Sequence, residues 1–289
     1  MTTPSAARGA LLILLSGLGL SFGGLIVRHI NVADDWQIVF YRSTVVTLML
    51  LLFIALRDRC AVLRTFRRCG WPGVCAGLSI SVAMVTFILS VNATSVANTL
   101  FVLAVAPFLA AVLGWLLLRE RVRRATWVAM AVALAGVAIM VWHGVSGGSL
   151  YGNLMALITA LGFAGFTVAL RFGRQTDMMP AVCLAGVFSA TAGAFVVTLS
   201  GAGFAIPLAD IGYSALYGAL IATGLAAVTV GGRAVPAAVL ALLSLTETLF
   251  GPVWVLLFLN EVPHATTLIG GAVLMSAIVW QAISSMRRA

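Results

Sequence analysis

Two stretches of this chain decide its architecture, APFLAAVLGWLLLRE at residues 106–120 and TLFGPVWVLLFLNE at residues 248–261. With Pro107 laid on Thr248, each runs thirteen residues through an apolar segment to a glutamate, Glu120 in one and Glu261 in the other. The echo continues upstream, where Leu18-Gly19 through Arg28 matches Leu161-Gly162 through Arg171 at nearly the same offset. Breaking the chain at charges, Pro and Gly gives ten apolar segments, near 10–27, 36–56, 72–90, 96–118, 125–142, 152–171, 180–200, 211–230, 236–258 and 265–284. The two units are therefore 1–145 and 146–289, with five segments each. An odd number of crossings forces the second unit to run the opposite way through a membrane. The charges agree, since Glu120 stands among Arg119, Arg121, Arg123 and Arg124 while Glu261 has no arginine neighbour. Inverted repeats are the signature architecture of secondary transporters, whose site lies between the units. The expected fold is an all-α polytopic membrane protein, ten transmembrane helices in a five-plus-five inverted-topology repeat around a central cavity.

Composition supports the crossings. The 289 residues are 62% hydrophobic and 9% charged, with mean hydropathy +1.13, whereas a soluble domain carries roughly 25% charged residues. A water-soluble enzyme and a large extramembrane domain are both excluded. Each crossing needs about 20 apolar residues, and only a helix satisfies its own backbone in lipid over runs this long. Six of the seven tryptophans (Trp36, Trp71, Trp115, Trp127, Trp142 and Trp280) fall near segment ends, as an interfacial aromatic belt requires.

All 17 basic residues are arginines, and the net charge is +9. They sit in short clusters between apolar runs, a pattern of topology rather than of a nucleic-acid groove. With a cytoplasmic N-terminus, fifteen arginines fall inside, only Arg28 falls outside, and Arg42 lies within a helix. That bias places both termini in the cytoplasm. The run after Arg8 is long enough to span and lacks a convincing small-residue cleavage site, so it reads as a retained first helix. The absence of lysine removes Schiff-base and P-loop chemistry. Four cysteines without CxxC spacing give no metal site, and no cofactor is expected. Cys60 and Cys69, in an arginine-rich loop facing a reducing cytosol, are expected to be free thiols. Small residues recur at four-residue spacing in Gly19/Gly23, Gly73/Gly77, Ala106/Ala110/Gly114 and Gly218/Ala222/Ala226, which suits close helix approach in lipid.

The ten-helix repeat, with a fourth-helix pattern running from Asn98 through Pro107 to Arg119-Glu120, resembles the drug/metabolite transporter superfamily. Within it, the chain is most similar to the EamA family of ten-helix permeases and its bacterial aromatic and neutral amino-acid exporters. In this chain Thr248 stands at the usual proline of the second repeat, and the Trp-Gly common in the first helix is absent. The resemblance implies a bacterial cytoplasmic membrane, export, and a mostly apolar cavity walled by helices 1–4 and 6–9, with helices 5 and 10 peripheral. It implies small-molecule substrate and lipid bilayer as partners, without a required protein partner.

Glu247, near the middle of the ninth helix among Ser244, Thr246 and Thr248, is the first candidate, because an ionisable group at mid-membrane normally faces a cavity or a partner. Proton coupling and pairing with a substrate amine are its two functional readings, and a protonated interhelical contact is the structural one. Arg42, about 9 Å along its helix from Trp36 at 1.5 Å per residue, is placed either to bind a carboxylate or to snorkel outward to Asp34 and Asp35. Together Arg42 and Glu247 supply opposite charges suited to a zwitterion. Asn98, with Ser81, Met84, Phe87 and Asn92, offers polar and soft apolar groups for the cavity walls. Phe163, Phe166 and Trp254 offer aromatic packing, although lipid or core packing is the ordinary role of such residues.

A competing class rests on Gly144-Val-Ser146-Gly147-Gly148, which matches the GxSxG nucleophile elbow, with His29, His143 and His264 expected on the same side. Ser146 falls in a short loop rather than between strand and helix, so the match reads as chance and no enzyme is expected. The sequence points to a carrier of neutral or aromatic amino acids working by alternating access. The alternatives are a drug or nucleotide-sugar-type exchanger and a membrane-embedded serine hydrolase.

Overall fold

Most of the apolar segments carry hydrophobic residues on every face, so each has to meet other helices or lipid all round. The computed structural model describes residues 6–27, 29–58, 61–94, 96–141, 149–259 and 265–286. Thirteen helices follow in order: α1 (Ala6–Leu20), α2 (Gly23–Val27), α3 (Asp35–Asp58), α4 (Val62–Ala93), α5 (Val96–Leu103), α6 (Ala106–Leu118), α7 (Arg124–Val141), α8 (Leu150–Phe172), α9 (Met179–Ser200), α10 (Leu208–Gly231), α11 (Ala237–Ser244), α12 (Thr246–Leu259) and α13 (Ala265–Met286). Among the described residues there is no strand. Seven stretches are long and apolar enough to cross a membrane, and three shorter apolar helices accompany them. The outer surface exposes Leu48, Leu52, Leu56, Leu116, Leu117, Phe195, Leu199 and Leu257, far more apolar area than a soluble protein tolerates. The chain is a multi-pass membrane protein.

Three of the apolar segments are interrupted. The first breaks at 21–22 between α1 and α2, the fourth at 104–105 between α5 and α6, and the ninth at Leu245 between α11 and α12. Pro107 enters α6 in its first turn, where its missing N–H goes unneeded. The third segment is longer than its apolar run. Gly70 adopts φ 59°, ψ −162° ahead of Pro72, so the Arg-rich 62–69 stretch is a short helix that turns away from the rest of α4. Only glycine enters that conformation cheaply. The short helix sets Cys69 inward while Arg64, Arg67 and Arg68 stay exposed.

Packing relates the two halves. The most extensive contacts join α4 with α8, α3 with α9 and α7 with α13, followed by α4 with α9, α1 with α10 and α3 with α10. Taken as companions, α4–α8 goes with α1–α10, and α4–α9 goes with α3–α10. Exchanging the first five segments for the last five turns each of these pairs into its companion, and leaves α3–α9, α7–α13 and α6–α11 unchanged. The small-residue stripes serve these contacts unevenly. A Cβ on Gly77 would lie 2.8 Å from the Ala181 carbonyl oxygen, whereas Gly19 and Gly114 face open space. Gly162, outside any of those stripes, is tighter still, 2.6 Å from the Ser79 carbonyl oxygen.

Candidate functional site

The interrupted segments converge on a central cavity of about 110 Å³. Leu20, just before the first break, and Leu103, Ala106, Ser244, Leu245 and Glu247, around the other two, line it, and α3, α4, α8 and α10 close the remaining walls. The seventh segment, α9, does not reach it, because α9 packs behind α3 and α4. Neither do α7 and α13, which pair with each other.

Arg42 is the most unusual wall residue. It is buried to 1% exposure, and its Nη2 donates to the Met84 carbonyl at 2.9 Å. Its guanidinium carbon lies 5.2 Å from the Tyr217 ring centroid, a cation–π arrangement. Its Nε has no partner, and no carboxylate among the described residues pairs with it. Gly218 explains the placement of Tyr217: a Cβ there would strike the Arg42 carbonyl oxygen, so the glycine brings α10 against α3 and sets the neighbouring Tyr217 beneath the guanidinium. The outward course toward Asp34 and Asp35 is not taken. Asp34 Oδ1 accepts the Trp36 and Gln37 backbone N–H groups at 2.9 and 2.8 Å, and an Asp35 carboxylate oxygen accepts from Asn92 Nδ2.

Glu247 is the second residue of α12, two residues past the break at Leu245, and lines the same cavity. Among the described residues no donor or cation engages its carboxylate. The positive dipole end at the start of α12 suits a negative charge there. Met84, Phe87, Phe163, Ser244 and Thr248 also line the cavity. Six other candidates do not. Ser81 Oγ bonds Ser189 Oγ at 3.0 Å, tying α4 to α9, and Asn92 meets Asp35. Asn98 reaches Thr94 and Asn153. Thr246 Oγ1 donates to the Leu243 carbonyl at 2.7 Å, helping to shape the break. Phe166 is fully buried beside Phe163. Trp254 stacks on Phe22 with centroids 4.1 Å apart, and its Nε1 donates to Ser21 Oγ at 2.6 Å, so it joins the first break to the ninth segment. Tyr217 and Thr159 are wall residues that sequence reasoning missed. The one signal for Tyr217 was its position beside Gly218 in a small-residue stripe. Ser146, His143, His264, Glu261 and Arg28 lie outside the described residues.

The sequence model of the EamA-like transporter family matches residues 7–142. The pseudopaline exporter CntI of Pseudomonas aeruginosa is 25% identical over 276 residues, covering 94% of each chain. The uncharacterized transporter YwfM of Bacillus subtilis is 27% identical over 226 residues, covering 72% of each. One crystal structure superposes with a TM-score of 0.82 at 17% identity over 98% of this chain and 100% of the other, a likeness of fold.

Proposed function

We propose that this chain, whose residues 7–142 match the EamA-like transporter family, is a transporter of that family and exports a small zwitterionic metabolite, a neutral or aromatic amino acid, across the bacterial cytoplasmic membrane by alternating access. Its termini then lie in the cytoplasm. The observation that carries the reading is Arg42, a fully buried cation on the cavity wall with an unpartnered Nε and no acid beside it. Burying an unpaired charge is expensive, and a substrate carboxylate would compensate it with charge-assisted hydrogen bonds. Glu247 supplies the opposite charge across a cavity whose other walls are Met84, Phe87 and Phe163, which suits an ammonium and an apolar side chain. The volume of about 110 Å³ is below the roughly 300–1,000 Å³ of drug-sized pockets, which favours a metabolite of amino-acid size over a drug or a nucleotide sugar. Glu247 is also the group that would take up a proton in a coupled cycle.

The five-plus-five inverted repeat supplies the motion. The exchange symmetry of the helix pairs supports two equivalent units, and the counterpart breaks at 104–105 and 245 put interrupted helices on the site from both, as carriers of this kind do. Export rests on the name of one relative, an exporter. Counterflow in proteoliposomes tests the reading. Protein preloaded with unlabelled threonine, methionine or phenylalanine should accumulate the labelled compound, while preloaded nucleosides, sugars or cationic dyes should not drive uptake. Folded protein that shows no counterflow with any amino acid would overturn it.

A further inference from the structure

A second, wider cleft of about 740 Å³ lies at the arginine-rich end, lined by Arg57, Arg64, Arg68, Asp58, Asp177 and Arg233. Its two acids are already engaged. Asp58 accepts from Arg57 Nε at 2.7 Å and from Thr65 Oγ1 at 2.6 Å. Asp177 accepts from Arg57 Nη2 and, at 3.1 Å, from Arg233 Nη2, and its Oδ1 also takes the Met179 backbone N–H at 3.0 Å. Four guanidiniums against two carboxylates leave the cleft with a surplus of two positive charges. Donors are left over as well. Arg57 Nη1 and Arg233 Nε are buried without a partner, in an Arg233 side chain only 9% exposed. Arg64 and Arg68 are exposed on the short helix that Gly70 turns away from the rest of α4, and no acid among the described residues pairs with either.

We propose that this cleft binds a phosphate group. A phosphate presents several acceptor oxygens at once, and guanidinium forks match that geometry bidentately. A single carboxylate would satisfy neither the surplus charge nor the number of open donors. The walls come from α3, the 62–69 helix, the turn before α9 and the turn after α10, so one bound phosphate would bridge elements of both halves. Leu63 and Trp71, both largely exposed, flank the arginines in sequence, which puts apolar surface beside the charge, as at a leaflet boundary. Anionic headgroups gather at such basic clusters, and a soluble phosphomonoester has the same recognition chemistry.

Native mass spectrometry of the full chain in mild detergent tests this. Dioleoylphosphatidylglycerol, dioleoylphosphatidylcholine and glycerol 1-phosphate are the probes. Saturable binding of phosphatidylglycerol is expected, at least tenfold weaker in the Arg64→Gln/Arg68→Gln variant and unchanged in Arg121→Gln/Arg123→Gln, which removes equal charge from another loop. All four are exposed residues, so folding is preserved in both variants. Full competition by glycerol 1-phosphate would identify a free phosphate as the ligand. Failure to compete, with phosphatidylcholine bound weakly, would identify the headgroup. Equal weakening in both double variants, or no saturable binding of any probe, would overturn the site.

Discussion

Replacing Arg42 by methionine separates the two roles a buried arginine can have. In the folded protein the guanidinium gains one charged hydrogen bond to the Met84 carbonyl, about 1.5–3 kcal/mol, and a cation–π contact with Tyr217, about 0.5–2 kcal/mol. Together these offer about 2–5 kcal/mol. Against them stands a desolvation penalty of several kcal/mol for an ion with no counter-charge. The terms nearly cancel. Methionine is unbranched and fills irregular space well, and the Met84 carbonyl still faces the helical ladder of α4, so that acceptor is not orphaned. The expected result is an apparent Tm in detergent that is unchanged or raised. Transport should respond differently. Two charged hydrogen bonds to a substrate carboxylate are worth about 3 kcal/mol or more, which is roughly a hundredfold in apparent affinity. Counterflow at fixed labelled amino acid should therefore fall by about that factor, and Arg42→Lys, which keeps the charge without the fork, should fall between. Wild-type counterflow in the methionine variant would refute the carboxylate role. So would a large drop in Tm with transport lost only in proportion to folded protein.

Glu247→Gln should abolish accumulation driven by an imposed proton gradient while lowering folded yield far less; equal loss of yield and transport would mean a packing role only. Gly218→Val forces α10 off α3 at the Arg42 carbonyl, an overpacking of about 1–3 kcal/mol, so both thermal stability and counterflow should drop together. Asp177→Asn removes an anchor shared by Arg57 and Arg233; partly exposed pairs are worth about 0.2–1 kcal/mol, so Tm should barely move. Buried Cys69, whose Sγ lies 3.8 Å from Met178 Sδ, should nevertheless react faster with maleimide by peptide mapping. Ser146→Ala should leave counterflow untouched, and its loss would return weight to a serine hydrolase.

Sequence alone carried the helices because hydrophobic length is a direct physical requirement of the bilayer. Segments drawn near 36–56, 152–171 and 180–200 lie inside α3, α8 and α9. It also pointed to Arg42 and Glu247 as cavity-wall residues, since isolated charges in apolar runs are conspicuous, and both do line the cavity. It failed where the decisive quantity was a side chain's azimuth. Ser81, Asn92 and Asn98 have the same polar chemistry as Ser244 and Thr248, yet they face helix–helix seams, where a hydroxyl or amide finds partners such as Ser189 and Asn153. Tyr217 was hidden for a related reason. An aromatic in an apolar helix is ordinary until the adjacent glycine, Gly218, packed against the Arg42 carbonyl oxygen, shows which way the helix leans.

The way Arg42 is held suggests how binding and motion are linked. Its backbone belongs to α3, its Nη2 rests on α4, and its face rests on Tyr217 of α10. Two of these supports belong to the first half and the third to the second half. A rocking of one half against the other therefore has to alter the guanidinium's surroundings, while Glu247, at the start of α12, moves with the second half. A zwitterion bridging Arg42 and Glu247 would span the two halves and favour the arrangement in which both reach it. A ligand shifts a conformational equilibrium only by its difference in affinity between the states. A charge pair split between the halves supplies that difference directly, because a ligand carrying one charge would engage only one side. Compounds with the carboxylate alone should thus compete for binding yet fail to drive counterflow.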